Sequence, residues 1–128
     1  MTDYVDRNVQ RLLHMIVGIE RIKRSLAGIS QEAFLVDEMR QSSVAFDIST
    51  IGESAANVTE EFRRAHPEIP WEKMRGMRNR LVHIFDYGQI DYEIVWDVAV
   101  NALPSLEPAL RVALATIPLP DDFRLPDM

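Results

Sequence analysis

The sequence predicts an all-α fold, an antiparallel bundle of four main helices with one short extra helix. Apolar residues recur at steps of three and four along most of the 128 residues, which is the period of an α-helix. No segment alternates apolar and polar residues over the length of a strand, and the chain contains no Asn-Gly hairpin turn. The length suffices for one domain with its own core and is too short for two ordinary domains.

Two long helices and a short one are predicted in the first half of the chain. The first helix spans about Asp3–Ala27, and Gly28 is a typical residue after a helix end. Ser30 can cap a short helix, and the second long helix spans about Asp37–Asn57. Lys23 interrupts the apolar stripe of the first helix. The two stripes consist of Val5, Val9, Leu12, Ile16, Ile19 and Leu26, and of Val44, Ile48, Ile51, Ala55, Val58 and Phe62.

The second half of the chain predicts three further helical segments. The second long helix is expected either to continue past Asn57 or to restart at Thr59, which can cap a short helix. A fourth helix is expected to begin near Pro70, with this proline in its first turn. Asp91 can cap the last helix, which extends to about Ile117, and Pro104 is expected to kink or split it. The expected inward positions are Met74, Met77, Leu81 and Ile84 in the fourth helix, and Val95, Ala99, Ala102, Leu106, Leu110 and Ala113 in the last one.

The domain organisation is predicted to be simple. Residues 1–117 form the helical domain, and the proline-rich residues 118–128 form an extended tail. No secretory signal and no apolar stretch of membrane-spanning length is visible, so a cytoplasmic location without membrane contact is the default expectation. The chain has no cysteine, which excludes disulfides and thiolate chemistry.

The apolar stripe of the first helix is long enough to serve a partner subunit as well as the core. Helices with such stripes often form symmetric dimers, so we expect self-association. The alternative is that the stripe packs only within one chain.

One segment, residues 71–83, combines basic side chains with a histidine. Lys73, Arg75, Arg78 and Arg80 fall within eight residues, and His83 follows. On an ideal helix, Asn79 and His83 lie on the face away from the apolar stripe. Arg78 and His83 are about 140° apart on such a helix. Either the helix therefore ends near His83, or a second subunit completes the site.

This combination of side chains suits phosphodiester chemistry. His83 can exchange a proton near neutral pH, and Arg78 can hold phosphate oxygens and stabilise developing negative charge, with Asn79 in support. RNA carries its own nucleophile in the 2′-hydroxyl, so no metal and no cofactor is required. Lys73, Arg75 and Arg80 are candidate RNA contacts. In the alternative interpretation, these cations only complement the helix dipole or pair with acids.

Two further groups of residues bear on these alternatives. Glu53 and Glu72 are the acids that we consider as partners of the cations. The other histidines, His14 and His66, do not share metal-ligand spacing with His83, and we expect both to be structural.

The charge distribution supports a localised anion-binding surface. The whole chain carries a formal charge of -6. Between Arg63 and His83 six basic residues face two acidic ones, so this segment is +4 and the remainder is -10. We expect contact with nucleic acid to be confined to this basic segment.

Four segments of the chain together resemble the HepT toxins, minimal members of the HEPN superfamily. The Arg-x4-His motif of that family matches Arg78–His83, and the resemblance extends from about Tyr4 to Leu110. The matching segments, in the family's order, are Ile51–Ala56, His66–Trp71, Met74–Arg80 and Ile90–Trp96.

The resemblance implies a specific activity and assembly. It implies a metal-independent endoribonuclease that acts as the toxin of a type VII toxin-antitoxin system. Arg78 and His83 match the catalytic positions, and Asn79 matches the polar residue that commonly follows the arginine. It further implies a homodimer or a higher even oligomer, with the motif facing a cleft between subunits. The implied partner is an MntA-like nucleotidyltransferase antitoxin, which transfers AMP to a tyrosine of the toxin.

The modified tyrosine is where this chain departs from the family. The family commonly reads Arg-x4-His-x-Tyr, whereas Phe85 occupies that position here and has no hydroxyl. Tyr87 is two residues further on and is the candidate acceptor of AMP. The alternatives are that Tyr87 is only a turn residue and that the antitoxin acts by binding alone.

Two other functions remain compatible with the residues themselves. The dimer could be a non-catalytic nucleotide- or substrate-binding partner of a minimal nucleotidyltransferase. The bundle could also be purely structural, in which case neither nucleotide binding nor RNA cleavage is expected.

Overall fold

The computed structural model describes residues 7–77, 90–119 and 121, and all regular structure in these ranges is helical. The all-α prediction is therefore confirmed. A π-helical turn, Val98–Ala102, joins the last two α-helices. The α-helices are α1 (Arg7–Leu26), α2 (Gln31–Phe34), α3 (Glu38–Ala56), α4 (Glu60–Ala65), α5 (residues 71–77 within the described part), α6 (Tyr92–Asp97) and α7 (Leu103–Ala115).

The predicted helix ends are confirmed by local capping geometry. Gly28 has a φ of 74°, the left-handed conformation that ends α1 without a Cβ penalty. The side chains of Ser30, Asp37, Thr59 and Asp91 each accept a hydrogen bond from a backbone N–H in the first turn of the following helix. These four residues satisfy donors that a helix start would otherwise leave unpaired.

Helices α1 and α3 pack against each other in antiparallel orientation. At one end, Arg40 at the start of α3 donates its Nε hydrogen to the Ser25 carbonyl near the end of α1, at 2.7 Å. At the other end, Asn8 donates to the Thr59 hydroxyl and accepts from the Thr59 backbone N–H, both at 3.1 Å. Every described member of the two predicted stripes is buried, while Val5 lies outside the described residues.

Helix α7 packs on the other side of α1, also antiparallel. Lys23 Nζ lies 3.3 Å from Glu107 Oε1, and Arg111 Nη2 lies 3.6 Å from Glu20 Oε1. Burial opposes ionisation of Glu107. Hydrogen bonds with Glu20, Arg111 and Lys23 outweigh this and hold its pKa below the ordinary value. Lys23 interrupts the apolar stripe of α1 because it faces this carboxylate.

The apolar stripe of α1 is buried by contacts within the single chain. Val9, Leu12, Ile16 and Ile19 are 0% exposed without any partner subunit. A seam between subunits therefore cannot be built from this stripe. Any dimer must use other surface.

The last helix differs from the prediction at the π turn. Ala102 is exposed and Leu106 is half-buried, although both were expected to face inward, whereas Leu103 is 0% exposed. Pro104 has no N–H to donate to the carbonyl four residues back, and its ring crowds the preceding turn, which disfavours regular α-helical bonding there. The Leu103 N–H instead bonds to the Val98 carbonyl, five residues back, which widens the turn. Leu103 and Glu107 are therefore buried in place of Ala102 and Leu106, whereas Leu110 and Ala113 are buried as predicted.

Helix α5 begins one residue later than expected. The Met74 N–H donates to the Pro70 carbonyl at 3.1 Å, so Pro70 precedes the first turn. Met74 is buried and Met77 partly buried, as predicted. The other two predicted inward positions, Leu81 and Ile84, lie outside the described residues.

The predicted tail lies almost entirely outside the described residues, so the proposed boundary after residue 117 stays a prediction. Ile117 and Leu119 are partly buried against the core. Each helix in the described ranges is too short or too polar to cross a membrane.

Candidate active site

Two of the predicted site residues, Lys73 and Arg75, lie on the described part of α5. The other five are outside the described residues: Arg78, Asn79, Arg80, His83 and Tyr87. The geometry of the candidate site is therefore described from its amino-terminal side.

Helix α5 is anchored by its aromatic and apolar side chains. The indole Nε1–H of Trp71 donates to the His66 carbonyl at 3.0 Å, and its ring lies 6.4 Å from that of Phe62 on α4. Trp71 and Met74 are buried, and Glu72 and Lys73 between them face outward. Lys73 is accordingly exposed and Arg75 partly exposed.

A groove of about 620 Å³ lies between α4 and α5, and we call it the α4–α5 groove. Its lining contains four cations and two acids above an apolar floor. The lining residues are Glu60, Arg63, Arg64, Ile69, Pro70, Trp71, Glu72, Lys73 and Arg75.

The cations of the groove are unequally paired. Arg64 and Glu60 form an exposed pair at 2.6 Å, and Arg75 Nη1 lies 2.7 Å from Glu72 Oε1. Arg63 Nη1 is 4.0 Å from that same Glu72 oxygen, and the buried Nε of Arg63 has no hydrogen-bond partner among the described residues. Of the three arginines of the groove, Arg63 is therefore the one without a hydrogen-bonded carboxylate among the described residues.

The alternative pairing of α5 with nearby acids is partly correct. Glu72 does pair with Arg75. Glu53 lies elsewhere, on α3, where it lines a cavity of about 350 Å³ together with Arg11 and His14.

A second cavity, of about 510 Å³, adjoins the α4–α5 groove. It lies between α5 and the start of α7, and Pro70 and Lys73 line both spaces. Ser105 and the exposed Ala102 line its far side. Lys73 thus stands on the ridge between the two spaces.

The two described histidines do not enter this site. His66 is structural, as expected: its ring lies 4.4 Å from that of Phe62, and its Nδ1 lies 3.2 Å from Glu68 Oε1. His14 is exposed on α1 rather than packed in the core. Within residues 7–77, 90–119 and 121, no three His, Asp or Glu side chains converge as metal ligands.

The basic segment is predictable from the sequence, but the arrangement of its cations around the groove is not. Arg63 and Arg64 contributed only to the charge count, whereas they face Lys73 and Arg75 across the groove. The sequence feature that could have indicated this arrangement is the His66–Trp71 segment. Its two prolines end α4 and turn the chain before α5.

Comparison with known proteins identifies the family. The model of the family described as "Ribonuclease HepT-like" matches residues 15–113. The chain belongs to the ribonuclease HepT-like family. The matched range includes α5 and residues 78–89.

Individual relatives agree with this assignment. A protein of Caldanaerobacter subterraneus subsp. tengcongensis named "Putative RNase" is 34% identical over 103 residues, which cover 80% of this chain and 90% of that protein. A protein of Thermococcus cleftensis named "Probable ribonuclease HepT" is 37% identical over 90 residues, covering 70% and 80%. No solved structure matches the chain.

The family assignment confirms two predictions. The chain is a HepT-like protein with the expected all-helical fold, and its enzyme class is that of a ribonuclease.

Proposed function

We propose that this HepT-like protein is a metal-independent endoribonuclease toxin that cleaves RNA through Arg78 and His83. The observation that carries the proposal is the basic α4–α5 groove in a chain of the HepT-like ribonuclease family. Along the chain, Arg75 on the wall of this groove is followed three residues later by Arg78, where the Arg-x4-His motif begins.

The proposed reaction is an internal transesterification. The imidazole of His83 accepts the proton of the 2′-hydroxyl, and the 2′-oxygen attacks the adjacent phosphorus. The bond from phosphorus to the 5′-oxygen breaks, and the leaving oxygen takes up a proton from the protonated imidazole or from water. Arg78 stabilises the negative charge that develops on the non-bridging oxygens, and Asn79 orients the phosphate or the imidazole.

Lys73, Arg75 and Arg80 are proposed to hold the RNA backbone beside the reacting bond. Lys73 and Arg75 both line the α4–α5 groove, which supports this role for them. Such contacts position RNA without reading its sequence.

The proposed assembly is a homodimer, or a higher even oligomer, in which two motifs face one cleft. This arrangement resolves the divergence of Arg78 and His83 on an ideal helix, because the arginine of one subunit can meet the histidine of the other.

We further assign the protein to a type VII toxin-antitoxin system. Its proposed partner is an MntA-like nucleotidyltransferase antitoxin that transfers AMP to Tyr87. The alternative is a non-catalytic nucleotide- or substrate-binding partner of such a nucleotidyltransferase.

Cleavage of RNA in the presence of a metal chelator tests the proposal. The wild-type protein is expected to cleave. His83→Ala and Arg78→Ala are each expected to reduce the rate at least about 100-fold, because proton transfer and charge stabilisation are lost. Gel analysis of an end-labelled RNA measures the rate. His14→Ala is the matched control, because it removes an exposed histidine from α1 and should leave cleavage unchanged.

Mixing the two inactive variants tests the shared site. If the arginine and histidine come from different subunits, each mixed dimer holds one intact site, and about a quarter of the wild-type activity should return after subunit exchange. No recovery would contradict a site shared between subunits. Undiminished cleavage by His83→Ala would overturn the catalytic assignment. Binding of RNA or nucleotides without any cleavage by the wild type would favour the non-catalytic alternative.

A further inference from the structure

The carboxylate of Glu72 lies between two guanidinium groups in the α4–α5 groove. Its Oε1 is 2.7 Å from Arg75 Nη1 and 4.0 Å from Arg63 Nη1. The first distance is a charge-assisted hydrogen bond, and the second is too long for one. Because both distances end at the same oxygen, the two guanidinium groups lie close together beside one carboxylate. Without an anion there, their like charges would repel.

Glu72 is held weakly in this position. Its side chain is 83% exposed, and the side chain of Arg75 is 38% exposed. An exposed ion pair of this kind contributes little to stability and exchanges readily with other charges in solution. The carboxylate can therefore rotate into the solvent without disturbing the core.

Arg63 is held more firmly and is incompletely paired. Its side chain is only 23% exposed, and its buried Nε has no acceptor among the described residues. Ile69 and Trp71, both buried, form an apolar floor beside it. Such surroundings strengthen the attraction between a cation and an anion. At 4.0 Å, Arg63 Nη1 makes no hydrogen bond to Glu72 Oε1, so an anion whose oxygens come closer to Nη1 binds it more strongly than this carboxylate does.

We infer that Arg63 and Arg75 form a binding site for a backbone phosphodiester of RNA, and that Glu72 occupies this site when RNA is absent. A phosphate offers two non-bridging oxygens and can accept hydrogen bonds from both guanidinium groups. Binding displaces the Glu72 carboxylate. The inference rests on the proposed function and extends it, because this phosphate lies outside the bond that Arg78 and His83 act on.

RNA is favoured over an acidic protein segment for two reasons. The chain is a HepT-like ribonuclease. Arg75 also lies only three residues before Arg78 in the sequence, where the Arg-x4-His motif begins. The Glu72 carboxylate competes with every anion that enters this site, so only a ligand with further contacts along the groove displaces it efficiently.

The test measures binding of a single-stranded RNA oligonucleotide whose 2′-hydroxyls are all methylated, so that it cannot be cleaved. Fluorescence anisotropy gives the affinity at several salt concentrations. Arg63→Gln is expected to weaken binding about tenfold and to reduce the slope of log affinity against log salt by up to about 0.7, the value for one phosphate contact, since Arg75 still contacts the same phosphate. Glu72→Gln is expected to strengthen binding severalfold, because the competing carboxylate is removed.

Two variants on α4 serve as matched controls. Arg64→Gln removes the same charge from the neighbouring residue, but this side chain is 79% exposed and pairs with Glu60, so a smaller loss is expected. Glu60→Gln removes an acid from the same groove without freeing Arg63 or Arg75. Equal effects of Glu60→Gln and Glu72→Gln would overturn the inference, since net charge alone would then explain them.

The remaining outcomes separate this site from the proposed function. Unchanged affinity in both Arg63→Gln and Glu72→Gln overturns the site, even if the wild type cleaves ordinary RNA. The expected binding changes, together with no cleavage by the wild type, overturn the nuclease proposal and leave the phosphate site standing. Circular dichroism checks that each variant folds. If Arg63→Gln does not fold, the RNA affinity of Glu72→Gln alone tests the inferred site. Polyglutamate that displaces the RNA with the same dependence on Arg63 would assign the site to an acidic protein instead.

Discussion

Asp47 shows how one buried charge affects the stability of the chain. Its side chain lies on α3 with only 5% exposed, and Arg21 on α1 is 3.7 Å away. Burial raises the pKa of the Asp47 carboxyl above its ordinary value of 3.8, and Arg21 opposes this with a smaller effect. The folded chain therefore holds the ionised carboxylate at a cost.

Asp47→Asn is expected to raise the melting temperature at neutral pH by about 4 °C, the size expected of about 1 kcal/mol in a domain of this length. The folded-state pKa lies above the unfolded one, so wild-type stability falls as the pH rises through the folded pKa. The amide that Asp47→Asn introduces does not ionise, so the variant does not lose stability as the pH rises. Calorimetric melting at several pH values measures the difference, which should shrink as the pH is lowered towards 3.8.

Asp37 provides the control for this prediction. Hydrogen bonds from the Arg40 backbone and guanidinium lower the pKa of Asp37, so its charge is favoured in the folded state. Asp37→Asn should give no gain at neutral pH. A gain of equal size in both variants would contradict a specific cost of burial at Asp47.

At the scale of elements, the crossing of α1 and α3 depends on Gly18. A Cβ added at Gly18 would lie 2.8 Å from Cγ1 of Ile51, which is itself 0% exposed. A real Cβ contact of this length essentially never occurs, so Ile51 or one of the two helices must move. The close approach of the helices therefore requires a residue without a side chain.

Gly18→Ala is expected to lower stability by about 1–2 kcal/mol, because overpacking exceeds the gain in helix propensity. Gly76→Ala on α5 is the matched control, since an added Cβ there meets nothing within 4 Å. This control should be neutral or stabilising by up to about 1 kcal/mol. Urea unfolding measures both, and a Gly18→Ala variant as stable as the wild type would refute the close crossing.

The starts of helices were predictable where they depend on interactions between residues close in sequence. Ser30, Asp37, Thr59 and Asp91 cap helices through bonds to residues two or three positions away, so the sequence alone predicts these starts. The π turn was not predicted. Pro104 indicates a break, but whether the chain kinks, splits or widens depends on packing against α1.

The candidate site was predictable in composition but not in arrangement. The basic segment can be counted from the sequence. The convergence of Arg63 and Arg75 on Glu72 depends on how α4 and α5 lie against each other, and this is set by contacts such as that of Trp71 with the His66 carbonyl. Such contacts between separate elements have no signature in local spacing.

At the scale of the whole molecule, the charge is divided rather than uniform. The segment from Arg63 to His83 carries +4 within a chain of -6. The net negative charge of the remainder disfavours RNA, so we expect RNA to bind at the basic segment. The same division suits a protein partner that approaches with an acidic surface.

Co-expression with a neighbouring nucleotidyltransferase gene tests the proposed partner. The mass of the purified protein should increase by one AMP, and peptide mapping should locate it at Tyr87, because Phe85 lacks the hydroxyl that accepts the group. Intact-mass spectrometry measures the change, and Tyr87→Phe should abolish it. An AMP that persists in Tyr87→Phe would place the modification at another residue, and stable complex formation without added mass would indicate inhibition by binding alone.

The π turn at Val98–Ala102 also has a consequence for comparing relatives. A π turn holds one residue more than the α-helical turn it replaces, because its hydrogen bonds span five residues instead of four. A relative whose last helix is α-helical throughout would be one residue shorter there. A correct alignment of the two would open a single-residue gap inside a helix, where gaps are ordinarily penalised.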